Sequence, residues 1–296
     1  MDRSAQIKFP IPEEDLLYPG HTGCPGCGAA LALKYVLKGL GPRTIIVIPP
    51  ACVGTIAAGF PYSSLKIPVL RIPFESTAIT ASGIRAALDV MGKKDIHVLA
   101  WAGDGGTFDI GLQALSGSAE RNDNIIYVCY DNEGYMNTGI QRSSSTPSGA
   151  WTTTTPSPYV KDTPKKDIVR IMAAHNIPYV ATASIGYPAD LIRKVNKAKG
   201  MVGMKFILIY SPCPTGWRYS PEITIRIAKL ATKTGIFPLY EIEDGEKYTL
   251  SPRRSDKPLR EYFALQGRFR NLSEENLKWF EEKVQKEKEY LKRLAS

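Results

Sequence analysis

Two short polar strings carry the oxygen donors of this chain that are best placed to hold an ionic ligand. Trp101-Ala-Gly-Asp-Gly-Gly-Thr-Phe-Asp109 begins at the end of the apolar run 96–101. Tyr130-Asp-Asn-Glu-Gly-Tyr-Met-Asn-Thr-Gly139 begins at the end of the run 125–130. Each run reads as a short buried strand, and each polar string as the loop at its carboxyl end. In an open α/β sheet that edge is where ligands sit. Asp104 offers a carboxylate, Asn132 an amide oxygen and Gly134 a main-chain carbonyl. Hard oxygen donors suit Mg²⁺. Gly103 and Gly105 let backbone N–H groups approach a diphosphate that such an ion would hold. A lone Gly-Asp-Gly is ordinarily a turn. Here the second loop lies one strand–helix–strand unit later, so Asp104, Asn132 and the Gly134 carbonyl can converge on one cation.

The five cysteines form the other constellation. Cys24-Pro-Gly-Cys27 puts two sulfurs on a tight turn that can face one centre. A redox dithiol would want a strand before the pair, and none is evident. A structural zinc would need two more ligands nearby. Cys52 and Cys213 each fall just past a strand end, on the same edge as the polar loops. With Cys24 and Cys27 they would make four thiolates for a [4Fe-4S] cluster. Spacing alone leaves zinc and iron–sulfur both open. Cys129 lies inside the run 125–130 and reads as a small buried apolar residue.

A strand–helix alternation must position these loops. Helices are expected over 29–39, 76–91, 110–120, 167–174, 190–199 and 224–231. Strands are expected over Thr44–Ile48, 67–72, 96–101, 125–130, Tyr179–Ser184 and 206–210. That order argues for an α/β fold with a mostly parallel sheet and helices on both faces. The domain reading is an irregular arm over 1–19, one binding domain over 20–235, and an extension over 236–296. The extension ends in a charged helix, Glu274–Leu294, with Leu277, Phe280, Val284 and Leu291 on a stripe. It is expected to pack on a neighbouring subunit, the alternative being that it covers its own domain. The segment 143–158 is rich in Ser, Thr and Pro. Because it follows the second polar loop, it is expected to be an ordered loop that wraps the site or a partner subunit rather than a linker.

The chain has 296 residues and a net charge of +9. No basic stripe with interleaved aromatics appears, which argues against nucleic acid. The basic excess, partly within 253–293, suits a surface that attracts an acidic partner such as a small electron carrier. No apolar run approaches the ~20 residues of a membrane helix. Residues 1–12 lack the apolar stretch of a signal peptide. A cytoplasmic location without disulfides is the expectation.

Gly103-Asp104-Gly105 followed by Asn132 resembles the thiamin diphosphate motif. The longer strings, including Tyr135-Met-Asn-Thr-Gly-Ile-Gln-Arg-Ser143, resemble one branch only. That branch is the β subunit of pyruvate:ferredoxin oxidoreductase and related 2-oxoacid:ferredoxin oxidoreductases, and the likeness runs from about residue 20 to 235. It implies the thiamin diphosphate-binding fold and oxidative decarboxylation of a 2-oxoacid, pyruvate first, to acetyl-CoA and CO2. Electrons would pass through a [4Fe-4S] cluster to ferredoxin, and the cycle would be reversible. The resemblance implies Cys24, Cys27, Cys52 and Cys213 as cluster ligands, the last lying before Pro-Thr-Gly-Trp. It implies Asp104, Asn132 and Gly134 as the Mg²⁺ ligands, with Gly103 and Gly105 at the diphosphate. Asn137 matches the family's asparagine near the reacting carbon, where it would hydrogen-bond substrate; a turn-capping Asn is the plain alternative. Thr138 and Gly54 are weaker cofactor contacts. His21 borders the cysteine loop, whereas His97 and His175 read as structural.

One expected group is missing. Thiamin enzymes use a glutamate at the pyrimidine ring, and related single-chain enzymes carry one soon after the Cys-X-X-Cys. Gly28-Ala29 stands there, and neither Glu75 nor Glu133 matches. The pyrimidine glutamate, the substrate arginine and the coenzyme A site are therefore expected from partner subunits of α, γ and δ type. The competing readings are a non-redox thiamin decarboxylase with structural zinc, an electron-relay scaffold without turnover, and the same enzyme class acting on branched-chain 2-oxoacids or oxalate.

Overall fold

The computed structural model describes residues 11–57, 59, 61–251 and 257–295. Residues 1–10 of the expected arm, and Arg253 and Arg254 of the expected basic face, lie outside the described residues. The strands are β1 (Thr44–Ile48), β2 (Val69–Arg71), β3 (His97–Gly103), β4 (Ile126–Asp131), β5 (Tyr179–Ser184), β6 (Lys205–Tyr210), β7 (Tyr240–Glu243) and β8 (Lys247–Leu250). They form one sheet in the order β2-β1-β3-β4-β6-β5-β7-β8. The first six pair in parallel; β7 and β8 add antiparallel at one edge.

The helices are α1 (Gly28–Leu40), α2 (Cys52–Ile56), α3 (Thr77–Val90), α4 (Leu112–Glu120), α5 (Ile168–Ala173), α6 (Pro188–Lys199), α7 (Pro214–Trp217), α8 (Thr224–Lys233), α9 (Leu259–Ala264) and α10 (Glu274–Leu294). Each face of the sheet is covered by its own apolar layer. Along β3, Leu99 and Trp101 enter the layer with Leu33, Val36 and Leu37 of α1. Val98, Ala100 and Ala102 enter the other, with Leu115 of α4. A strand buried on both faces needs apolar side chains at every position, which is why these runs are continuous rather than alternating.

Two differences from the expected elements bear on the site. β3 runs two residues beyond its apolar run, because Ala102 and Gly103 pair with Cys129 and Tyr130 of β4. Asp104 is thus the first residue past the strand. The expected helix 110–120 is preceded by a wide π-type turn, Gly105–Asp109. Such turns widen the helical backbone locally and recur at functional sites.

The segment after Gly235 joins the main sheet: β7 pairs with β5, in register Tyr179↔Glu243. This hairpin escaped the sequence reading because its strands mix charged and apolar residues. α10 buries Leu277, Phe280 and Leu291 in the layer that covers Phe206 and Phe237. Among the described residues, no helix is long and apolar enough to cross a membrane.

Candidate functional site

From β1 the chain moves to β2 on one side; from β3 it moves to β4 on the other. The loops after β1 and β3 therefore part company, which opens a crevice at their carboxyl ends. Cys52, at the start of α2 after β1, and Gly103, the last residue of β3, with Asp104 and Gly105 just past it, line the same cavity there. Asn132, Gly134, Asn137 and Thr138 from the loop after β4 complete it. Gly54 lines neither this cavity nor the one described next; its carbonyl accepts from Arg71 Nη2 at 2.9 Å.

Three oxygen donors meet inside the crevice. The inward side-chain atom of Asn132 lies 3.0 Å from the Gly134 carbonyl oxygen and 2.9 Å from Asp104 Oδ1. With its amide nitrogen inward, Asn132 donates to both. With its oxygen inward, three acceptors face one point. Neighbouring ligands on an octahedral Mg²⁺ with bonds of ~2.0–2.1 Å stand about 2.9 Å apart. The spacing therefore fits that ion. Asp104 is fully buried; burial, and then the carboxylate of Asp131, push its carboxyl well above the usual range. A bound dication would offset that cost. Gly105 has no room for a side chain: a Cβ there would stand 2.5 Å from the Tyr135 ring.

Cys24, Cys27, Cys52 and Cys213 line one further cavity of about 210 Å³. Close backbone contact brings their loops together. A Cβ on Gly26, whose φ is +67°, would stand 2.5 Å from the Pro221 carbonyl oxygen, and Gly28 N donates to Pro212 O at 3.2 Å. Cys213 caps α7, its Sγ accepting from Gly216 N at 3.3 Å. Burial raises the thiol of Cys27; burial, then Cys213, push Cys52 up to about 12, and burial pushes Cys213 up to about 11. A cationic centre would be needed to hold these sulfurs as thiolates together. Among the described residues, no three His, Cys, Asp or Glu side chains close on a single point as one metal ion requires. The two cavities share a wall: Cys52, Asn132, Met136 and Asn137 line both. Asn137 Oδ1 accepts from Thr55 Oγ1 at 3.1 Å.

Residues 74–209 match the family described as thiamine pyrophosphate enzyme, C-terminal TPP binding domain. Subunit VorB of the ketoisovalerate oxidoreductase of Pyrococcus furiosus is 50% identical over 296 residues, covering 96% of this chain and 95% of that one. Subunit PorB of the pyruvate synthase of Methanothermobacter thermautotrophicus is 52% identical over 269 residues, covering 90% and 93%. This chain belongs to the β subunits of the 2-oxoacid:ferredoxin oxidoreductases. The 2-oxoglutarate:ferredoxin oxidoreductase of Magnetococcus marinus shares the fold, with a TM-score of 0.59 at 21% identity, over 76% of this chain and 82% of that one. Thiamin diphosphate is the cofactor that the matched domain binds.

In this β subunit, a buried polar network that the motifs did not reveal backs the oxygen triangle. Ser143 Oγ donates to Asp104 Oδ2, and Ser145 Oγ to Asp131 Oδ1 at 2.6 Å. Thr146 Oγ1 donates to the Glu133 carbonyl at 2.8 Å. Lys165 bridges Asp131 and Glu133. The first part of the Ser/Thr-rich loop, 143–146, thus packs against the site. Glu133 matched no family position, yet it lies fully inside with φ at +63°. Burial would raise its carboxyl, but Lys165 and Arg268 more than offset that and hold it below the usual range. His21 Nδ1 accepts from Gly23 N, and His175 Nε2 pairs with Ser116 Oγ. The clue available in sequence was the density of hydroxyls at 143–146, directly downstream of the second loop.

Proposed function

We propose that this β subunit carries Mg²⁺-thiamin diphosphate and a [4Fe-4S] cluster side by side, for the oxidative decarboxylation of a 2-oxoacid, pyruvate first. The observation that carries the proposal is the shared wall: Cys52 and Asn137 line both the cavity of Asp104 and the cavity of the four cysteines. When bound, thiamin diphosphate supplies the nucleophile and electron sink for decarboxylation, and the cluster takes up electrons singly.

The chain's own residues supply placement. Asp104, Asn132 and the Gly134 carbonyl would hold the ion, and Gly103 and Gly105 would bring backbone N–H groups near the diphosphate. Asn137, in the shared wall, would hydrogen-bond the reacting substrate. Cys24, Cys27, Cys52 and Cys213 would hold the iron. Four sulfurs around a cavity suit a multi-iron core better than a single zinc ion. Thr138 would contact the cofactor from the rim. The segment 236–296, through the exposed side of α10, is read as the part that meets a partner subunit.

Glu75 is exposed and Glu133 is committed to Lys165 and Arg268, so the pyrimidine carboxylate is assigned to a partner. The partner subunits would also bring the substrate arginine and the coenzyme A site, and ferredoxin would collect the electrons. The test is anaerobic isolation of the intact complex and assay of 2-oxoacids with coenzyme A and ferredoxin. Pyruvate is expected to turn over fastest, with 2-ketoisovalerate as the first comparison. The isolated chain with cofactors is expected to show no 2-oxoacid-dependent dye reduction, and activity there would refute the split site.

A further inference from the structure

We propose that Arg268 is a positioning residue that sets the diphosphate loop and the Cys213 loop relative to one another. The proposal rests on the reading of the two cavities given above. Arg268 sits in a short 3-10 turn, Gly267–Phe269, 135 residues from Glu133, and is only 3% exposed.

Among the contacts of its guanidinium, three orient it. Nη2 donates to Glu133 Oε2 at 2.6 Å, and Nε donates to Gln266 Oε1 at 3.0 Å. Its Cζ lies over the Trp217 ring, 3.7 Å from the centroid, as a cation–π contact. Trp217 closes the helical turn that Cys213 opens, and its Nε1 donates to the Asn132 carbonyl at 2.7 Å. Arg268 therefore touches both loops: the Asn132–Gly134 loop through Glu133, and the cysteine loop through Trp217. Its own carbonyl also accepts from Trp151 N at 2.9 Å, which ties in the Ser/Thr-rich loop.

The chemistry explains why an arginine stands here. Its planar fork can stack and hydrogen-bond at once, and it stays charged when buried. Losing it would strand the Glu133 carboxylate without half of its compensation. Glu133 holds a left-handed backbone that only its surroundings enforce, and it lies between two of the three oxygen donors. A change at Arg268 therefore reaches the cation triangle along the chain and the sulfur cavity through the indole.

The test uses the whole complex, prepared anaerobically, with Arg268→Lys and Trp217→Phe. Lysine keeps the charge and loses the planar fork. Phenylalanine keeps a ring and loses the N–H to Asn132. For each, Mg²⁺-dependent thiamin diphosphate affinity is measured, together with the electron paramagnetic resonance line shape and midpoint potential of the reduced cluster. Loss of an orienting partner behind metal ligands typically weakens binding ~10–100-fold. Arg268→Lys is expected to weaken thiamin diphosphate binding within that range and to shift the cluster signal. Trp217→Phe is expected to weaken binding in the same direction by a smaller factor, and it keeps the test open if the lysine variant fails to assemble. Wild-type affinity and an unchanged cluster signal in both variants, even with a lowered melting temperature, would overturn the proposal. A wild-type complex lacking either cofactor would overturn the underlying reading, and this proposal with it.

Discussion

Ser143 reaches across 39 residues of sequence to donate its hydroxyl to Asp104 Oδ2 at 2.5 Å. The other oxygen of that carboxylate, Oδ1, faces Asn132. One carboxylate is thus held from behind by a hydroxyl and presented in front to the cation site. Ser143→Ala is expected to leave the fold intact and to weaken Mg²⁺-dependent thiamin diphosphate binding by roughly 10-fold or more, as for other orienting partners of metal ligands. Calorimetric titration of the wild type and variant complexes would measure it. Equal affinities would show that Asp104 needs no such support.

The cysteine cavity depends on a glycine. Gly26 combines a φ of +67° with a 2.5 Å approach to the Pro221 carbonyl oxygen. Gly26→Ala must push the Cys24–Cys27 turn away from Pro221, and with it the neighbouring Gly28–Pro212 contact that ties the turn to the Cys213 loop. Iron and acid-labile sulfide per complex are expected to fall well below wild type, while thiamin diphosphate content stays near it. Full iron content in the variant would mean that the two loops are free to part.

Asn137 lies in the wall common to both cavities, its Oδ1 accepting from Thr55 Oγ1. Asn137→Ala is expected to leave both cofactors bound and to lower kcat. Loss of one preorganised donor at a reacting centre costs about 10²–10³-fold. Steady-state kinetics alongside cofactor analysis separates this from a binding defect. A fall in cofactor content with unchanged kcat per bound cofactor would assign Asn137 to binding instead.

The β7–β8 hairpin has an acid-sensitive anchor. Burial would raise the Glu241 carboxyl, but hydrogen bonds from Arg193, Tyr179 and Lys197 outweigh it and hold it down at about 2, against an ordinary value of 4.5. A carboxyl lowered on folding stabilises fully above its unfolded value, and that contribution is lost as pH falls through the folded one. Melting temperature should therefore drop between pH 4.5 and about 2. In Glu241→Gln the drop should be shallower, from a lower starting point at neutral pH. Parallel curves for the two proteins would remove Glu241 from the account.

Local features were readable from sequence and distant ones were not. β1, β5 and α10 have the bounds their apolar patterns suggest. Asp104, Asn132 and Gly134 announced themselves because the strand ends that carry them are adjacent, and adjacency follows from one strand–helix–strand unit. The four cysteines were found by the Cys24–Cys27 spacing, by the strand ends that precede Cys52 and Cys213, and by the family resemblance, which also left Cys129 aside. Arg268 was invisible: it lies in a stretch that reads as a solvated basic face, and its partners Glu133 and Trp217 are close only once the chain is folded. The hairpin after Gly235 was missed because its inward Tyr240 and Ile242 alternate with Glu241 and Glu243, which find cations on α6.

In the proposed arrangement, an ion held by Asp104 and Asn132 and a cluster held by four cysteines sit on either side of one wall. Replacing Mg²⁺ by Mn²⁺ in the anaerobic complex makes both centres magnetic once the cluster is reduced. Reducing the cluster is expected to broaden the Mn²⁺ resonance through dipolar coupling, and Asp104→Asn to abolish the bound Mn²⁺ signal. A Mn²⁺ resonance unchanged by full reduction of the cluster would contradict that arrangement.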